Sequence, residues 1–536
     1  MKRKLLLLSL LLLSWGTLFS QTYTGNSYRK KVTPTKNVIV MIPDGTSIGV
    51  VSAARWYQIF NKLGENLSID LYLCGTVKTF CSNAPIGDSA PTTSTYMTGM
   101  ASQTGNVAIY PPADEANDLV AVDADMSYQP LATILEASRI EQNKATGLVV
   151  TCEFPHATPA DCSSHHYQRG RYDILASQMA YQNLDVMFGG GVSIVTDDMK
   201  QHFENQNITY YANDINAFRK HQKGKIWSLW CDKGMPYDLD RDTTQIPSLQ
   251  EMTEKALNLL SQNKNGFFLM VEGSEVDWAA HANDAVGCIT EYLAFDKAVQ
   301  SVMEFAQKDG NTTVIVLPDH GNSGFTTGRR DLQSYDKASI TQLFGNVSKY
   351  KRTAASLAQM LSKENQNFKA VIKQYTDIDI TDEELTALLH SENMTAKLIE
   401  IMNKRTYFGF TTGGHTGEEV FLAAYHPQGD IPVGMNMNID INHYLSDATG
   451  LQKRLPELTK EIFAKHTDVF SGCQYSFDEK AQFPVLTVKK GKNTLEIPAF
   501  KSVVYLNGKL HDIGSVVVYM DKTKTFYLPQ SLKSLL

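Results

Sequence analysis

Short apolar or β-branched runs recur along the chain, each closing on a polar and usually acidic residue. They are Asn37 to Ile42 ahead of Asp44, Gly147 to Val150 ahead of Glu153, Phe267 to Val271 ahead of Glu272, Thr313 to Leu317 ahead of Asp319, and Val420 to Ala424. Runs this short and continuous, with helical stretches between them, predict the buried strands of an α/β fold: a large, mostly parallel central sheet flanked by helices. In such sheets the ligand site lies outside the carboxyl ends of the strands, so the acids at those ends are expected to converge. From about Gly324 to Tyr407 the rhythm gives way to helical patterns, with Thr381 and Glu384 at capping-box spacing ahead of Leu385, Leu388 and Leu389. This predicts a crown-like helical insertion over the mouth of the core. Beyond Phe483 the pattern turns to β runs, Val485 to Val488, Ser502 to Leu506 and Ser515 to Met520, with Asn507-Gly508 as a hairpin signal. The expected organisation is a core of residues 21–323 and 408–470, an insertion of residues 324–407, and a small C-terminal β appendage of residues 471–536.

Composition narrows the class. Among 536 residues, 50 Lys+Arg stand against 57 Asp+Glu, a net charge of −7. A nucleic-acid binder would carry a basic excess instead. Lys2, Arg3 and Lys4 precede the apolar run Leu5 to Leu13, and small or polar residues follow to Ser20. That layout predicts a secretory signal peptide over residues 1–20. Its removal takes away three cations and leaves −10. No other segment approaches the ~20 apolar residues that span a bilayer, so the mature chain is expected to be soluble. With no lipid-modified Cys after the leader and no hydrophobic C-terminal signal, the periplasm is the first expected compartment and full secretion the second. The seven cysteines are scattered, with no CxxC or Cys/His cluster. Any bound metal therefore has Asp, Glu and His as ligands.

Several strings carry candidate chemistry. In VEGSEVDWAAH, Glu272 closes a strand, and Asp277 and His281 four residues apart share one helix face, a zinc-compatible pair. Alone, a salt-bridged surface helix would explain the spacing as well. Asp319-His320 ends VIVLP and Asp44 ends VIVMIP. A charge at a buried strand end is costly unless it pairs or binds metal, and the duplication with an adjoining His favours metal over a simple helix cap. His415 in GGHTGEEV would by itself be an ordinary loop histidine. In GDSAPTTSTYMTG, Ser89 stands at the start of a helix of small residues, where the helix dipole suits a phosphate-bearing nucleophile; the commoner use of Asp88 or Ser89 there is as an N-cap. HATPADCSSHHYQR, His156 to Arg169, supplies the Thr158 hydroxyl for a hard metal and Arg169 for bidentate phosphate binding.

Taken together, these strings resemble the alkaline phosphatase family from about Asn37 to Tyr425, and so do DVMFGGG (Asp185 to Gly191) and the segment from Pro247 to Gly273. The resemblance implies a metal-dependent phosphomonoesterase in which Ser89 is the phosphorylated nucleophile and Arg169 the phosphate clamp. It implies one zinc on Asp277, His281 and His415, a second on Asp44, Asp319 and His320, and magnesium on Asp44, Thr158 and Glu272. It also implies small phosphomonoester substrates and a homodimer. Two positions depart from the enterobacterial pattern. His156 stands where that type has Asp, as in the animal enzymes, so the third site is expected to bind magnesium weakly and accept zinc in competition; the alternative is that His156 only hydrogen-bonds phosphate-linked water or a neighbouring carboxylate. Trp278 replaces a Lys or His. A phosphodiesterase or sulfatase of the same superfamily is the alternative, although Thr93 occupies the place of the sulfatase Arg. A catalytically silent metal-holding module is the reading from another class.

Overall fold

Ten strands build the central sheet of this computed structural model, which describes residues 31–363, 367–451 and 454–536. The leader expected over residues 1–20 lies outside the described residues. In chain order the strands are β1 (Asn37–Pro43), β2 (Leu73–Lys78), β3 (Ala145–Glu153), β4 (Val186–Gly190) and β5 (Ile208–Ala212), followed by β6 (Lys225–Leu229), β7 (Phe267–Gly273), β8 (Thr312–Val316), β9 (Val420–Tyr425) and β10 (Gly434–Met437). Their order across the sheet is β10-β2-β9-β8-β1-β7-β3-β4-β6-β5. Only β9 runs antiparallel to its neighbours, β2 and β8. All five runs expected as strands are strands of this sheet.

The pleat divides the core in two. Ile39 and Met41 of β1, Leu269 and Val271 of β7, and Val314 and Val316 of β8 enter one cluster. Val38, Val40 and Ile42, Phe268 and Met270, and Ile315 enter the other. Successive residues of a strand point to opposite faces, so strands buried on both faces read as unbroken apolar runs. Helices Ile48–Phe60, Leu249–Leu260 and Ala285–Asp309 cover the first face; Ile134–Gln142 and Asn438–Thr449 cover the second.

Between β8 and β9 lie helices Ile340–Phe344, Ala354–Leu361, Phe368–Thr376, Asp382–Leu389 and Met394–Asn403. Thr381 and Glu384 form the expected reciprocal capping box. Phe344, Leu357, Ile372, Leu388 and Leu398 join the first-face cluster, so these helices extend the main core and do not build one of their own.

Toward the C-terminus, Gln474–Ser476, Val485–Lys490, Asn493–Pro498, Val503–Leu506 and Lys509–Asp512 form an antiparallel five-stranded sheet. Asn507 and Gly508, with φ of 50° and 80°, turn its last hairpin in the left-handed region that Asn-Gly favours. The run Ser515 to Met520 is strand only from Val518. It pairs with Thr525–Leu528, which pairs in turn with Ala464–Lys465. Val518, Met520 and Tyr527 belong to the second-face cluster, so packing runs across residue 471.

Candidate active site

The middle of the sheet places three acids together. β1 lies between β7 and β8, with Ile42 opposite Glu272 and Met41 opposite Val316. Asp44, Glu272 and Asp319 therefore leave adjacent strand ends on one edge, all fully buried. Glu153 does not join them. Its neighbour Cys152 points to this region instead, with Sγ donating to Glu272 Oε2 at 3.6 Å, because alternate residues of a strand face opposite ways.

Two helices and a loop complete the arrangement. Helix α1 (Ser89–Thr98) starts at the nucleophile candidate, with Asp88 in the N-cap position. The Asp88 side chain does not cap the helix; its Oδ1 accepts from Arg169 Nη1 at 2.6 Å. Ser89 Oγ is buried 3.4 Å from His320 Nε2. Helix α2 (Ala157–Ser163) follows His156 and carries the buried Thr158. Helix α3 (Glu275–His281) carries Asp277 and His281 on one face, with His281 Nε2 3.4 Å from Asp277 Oδ2. Gly45, at φ +57°, permits this approach: a Cβ there would stand 2.2 Å from Asp277 Oδ1.

The imidazoles are oriented by backbone carbonyls. Nδ1 of His281, His320 and His415 lies 2.8, 3.1 and 3.0 Å from the carbonyl oxygens of Gly413, Gly321 and Gly87. A carbonyl only accepts, so each Nδ1 donates, and each ring in its neutral form turns an Nε2 lone pair inward. The Nε2 atoms of His281 and His415 face each other at 3.1 Å, and His415 Nε2 lies 3.7 Å from Asp277 Oδ1. His320 Nε2 stands 3.4 Å from Asp44 Oδ1 and 3.6 Å from Asp319 Oδ2. The ring of His415 stacks on His320 at 3.7 Å between centroids.

The charge inventory calls for cations. Among the described residues, Asp44, Asp88, Glu272, Asp277 and Asp319 meet Arg169 as the one permanently charged base within their network. Both oxygens of Asp44, Oδ2 of Asp319 and Oε1 of Glu272 are buried without a hydrogen-bond partner. Burial, then Asp319 and Asp277, holds the Asp44 carboxyl well above its ordinary range. Burial and Asp319 push Glu272 up to about 8. Asp88 is held down, burial being outweighed by Arg169, His320 and His415. Lone pairs of two imidazoles aimed at each other, together with uncompensated buried carboxylates, form a donor set that fits divalent metal. Among the described residues four groups have ligand atoms within 4.8 Å of one another: Asp277, His281 and His415; Asp44, Asp277 and His320; Cys152, His156 and Glu272; and Asp88, His320 and His415.

His156 behaves differently from the other histidines. Its Nε2 lies 3.2 Å from Arg169 Nη2, which only donates, so this nitrogen accepts. Burial, then Arg169, lowers its pKa to about 3. The ring also meets Trp278 edge-on at 6.0 Å. In this arrangement His156 and Asp88 together orient the guanidinium. Thr158 Oγ1 is buried next to Glu272.

Sequence reasoning missed a supporting set. Asn322 Nδ2 donates to Asp277 Oδ1 at 2.7 Å, and Ser47 Oγ ties the Asn322 carbonyl to Glu418. Asn322 lies two residues after His320 and pairs with His415 across a short antiparallel ladder. Only its place in the string DHGN could have marked it.

The alkaline phosphatase family profile matches residues 35–451. Alkaline phosphatase 3 of Bacillus subtilis is 33% identical over 427 residues, 76% of this chain and 87% of that protein. The repressible alkaline phosphatase of Saccharomyces cerevisiae is 29% identical over 82% of this chain and 85% of that one. Among solved structures, the cold-active alkaline phosphatase of a psychrophilic Shewanella superposes with a TM-score of 0.68 at 26% identity, covering 77% of this chain and 99% of that chain.

Proposed function

Since this chain belongs to the alkaline phosphatase family, we propose that it hydrolyses phosphate monoesters through a phosphoserine on Ser89, with two zinc ions and one magnesium ion as resident cofactors. Membership itself makes the chain a phosphomonoester hydrolase of divalent-metal type. The observation that carries the finer reading is the approach of Ser89 Oγ, at the positive end of α1, to His320 of the buried Asp44, Asp319 and His320 group, with Arg169 held by the neighbouring Asp88.

Asp277, His281 and His415 would hold one zinc, Asp44, Asp319 and His320 the other, and Asp44, Thr158 and Glu272 the magnesium. When bound, these ions supply Lewis-acid neutralisation of the phosphoryl and leaving oxygens. The protein's own groups do the rest. Arg169, charged and oriented by Asp88 and His156, holds two non-bridging oxygens with its planar fork. The N-terminus of α1 favours the dianion beside Ser89. Ser89 Oγ attacks phosphorus in line as the ester P–O bond breaks, and the alcohol departs past His281, the most exposed of the ligand side chains at 41%. Water then attacks the phosphoserine, releasing inorganic phosphate and restoring Ser89. At the reacting centre itself the leaving group meets little protein, so esters of many alcohols are accepted.

The same reading includes export to the periplasm or beyond, a homodimer, and the division into core, helical insertion and β appendage. The family match and Thr93 together favour monoesters over sulfates and diesters. In the test, Ser89→Ala keeps its fold and metal content and loses roughly a thousandfold or more of p-nitrophenyl phosphate hydrolysis. The wild-type protein yields an acid-trapped phosphoenzyme labelled on Ser89. Label on Thr92 or Ser94 overturns the assignment.

A further inference from the structure

Beside the centre lies a cleft of about 780 Å³ between the end of α3 and helix α4 (Met394–Asn403). It starts just past His281, the last residue of α3. Ala282 and Asn283, the two residues after His281, form one wall, and Asn283 O accepts from Asn403 Nδ2 at 2.8 Å. Thr411 forms another, two residues before Gly413, whose carbonyl holds His281. Both walls thus adjoin His281 along the chain, one through the residues that follow it and one through the loop that holds its Nδ1. Ala396, Ile399, Phe408 and Phe410 give it an apolar floor.

Its rim is cationic although the chain as a whole is acidic. Arg329 is matched by Asp331. Lys404 and Lys397 share a single acid, Glu400, which leaves one positive charge over. Arg330 is exposed, and among the described residues it has no acid within ion-pair distance. Two positive charges are thus unbalanced beside an apolar floor.

We propose that this cleft is a leaving-group subsite that selects phosphomonoesters whose leaving group carries a second anionic group beyond a short organic spacer. The inference rests on the phosphomonoesterase reading above. Arg330 and Lys404 act here as specificity-determining residues, remote from the reacting phosphoryl. The bond broken stays the ester P–O bond at Ser89, and the second anion leaves with the alcohol.

The test compares hexane-1,6-diol bisphosphate with hexyl phosphate. In the wild type, the ratio of their kcat/KM values exceeds the twofold advantage that two equivalent ends confer. In the double variant Arg330→Gln, Lys404→Gln the ratio falls roughly three- to tenfold, the scale of two exposed ion pairs, while kcat/KM for hexyl phosphate is unchanged. Added salt erodes the wild-type ratio, and Arg330→Lys with Lys404→Arg preserves it. A ratio unaffected by the Gln substitutions, or an equal loss for both substrates, overturns the subsite. Failure of the wild type to hydrolyse hexyl phosphate at all strikes instead at the phosphomonoesterase reading.

Discussion

Replacing Asn322 by alanine should loosen one of the two zinc equivalents and leave the other alone. Asn322 is fully buried, and its Nδ2 donates to Asp277 Oδ1 at 2.7 Å while Asp277 Oδ2 faces His281. The bond therefore fixes the rotation of the carboxylate, with Oδ1 toward His415 and Oδ2 toward His281. A hydrogen bond to a charged group is worth about 1.5–3 kcal/mol. Lost from a ligand that must be held for binding, it corresponds to roughly a ten- to hundredfold drop in metal affinity, the scale seen when such supporting partners are removed. Asp44, Asp319 and His320 are reached through other contacts: Asp319 Oδ1 accepts from Gly45 N at 3.1 Å and from His320 N at 3.0 Å. Competition for zinc against a chromophoric chelator should show one equivalent weakened and one as in the wild type, with kcat restored at saturating zinc. Two wild-type equivalents would refute the positioning argument, and equal weakening of both would point to a general loss of fold.

Gly45→Ala should cost stability of roughly 1–3 kcal/mol and release zinc, because its Cβ would clash with Asp277 Oδ1 at a positive φ; a wild-type Tm with full zinc content would contradict this. His156→Asp should raise magnesium affinity by placing a carboxylate beside Glu272 and Thr158, whereas identical magnesium titrations would confine His156 to its bond with Arg169. Protein stripped by EDTA should lose thermal stability as pH rises from about 5 to 8. Burial raises Glu272 to about 8 and Asp44 above its usual range, so at these two groups the metal-free fold binds more protons than the unfolded chain. Its stability is complete below the ordinary carboxylate range and declines as pH rises through these raised values. A metal-free Tm that is flat or rising over that window would overturn the charge inventory, and added zinc should flatten the decline.

Much of this molecule is legible locally. The unbroken runs ahead of Asp44, Glu272 and Asp319 read as strands because both faces of the sheet are covered, and alternation within them sends Ile39 and Val40 into different halves of the core. Thr381 with Glu384 and Asn507 with Gly508 act over three residues or fewer, through bonds and dihedrals that need no distant partner. The strings around Ser89, His281, His320 and His415 identify candidate chemistry for the same reason: each pairs chemically suited residues at short spacing.

Where a residue points is another matter. Glu153 ends a strand as Glu272 does, yet the pleat turns Cys152 toward the centre in its place. His156 is a candidate third-site ligand in sequence, and the fold gives its Nε2 to Arg169, thirteen residues on, while its Nδ1 is buried without a hydrogen-bond partner. Asn322, Ser47 and Glu418 carry no signal of their own, because what they do depends on Asp277 being brought to them. Sequence by itself determined the strands, the turns and the inventory of acids, imidazoles and the serine, since local propensity and apolar periodicity are properties of a segment. Tertiary structure alone decided that β1 lies between β7 and β8, and thus that Asp44, Glu272 and Asp319 share one edge. Strand order follows from how all the apolar faces are buried together, a long-range balance that no single segment encodes.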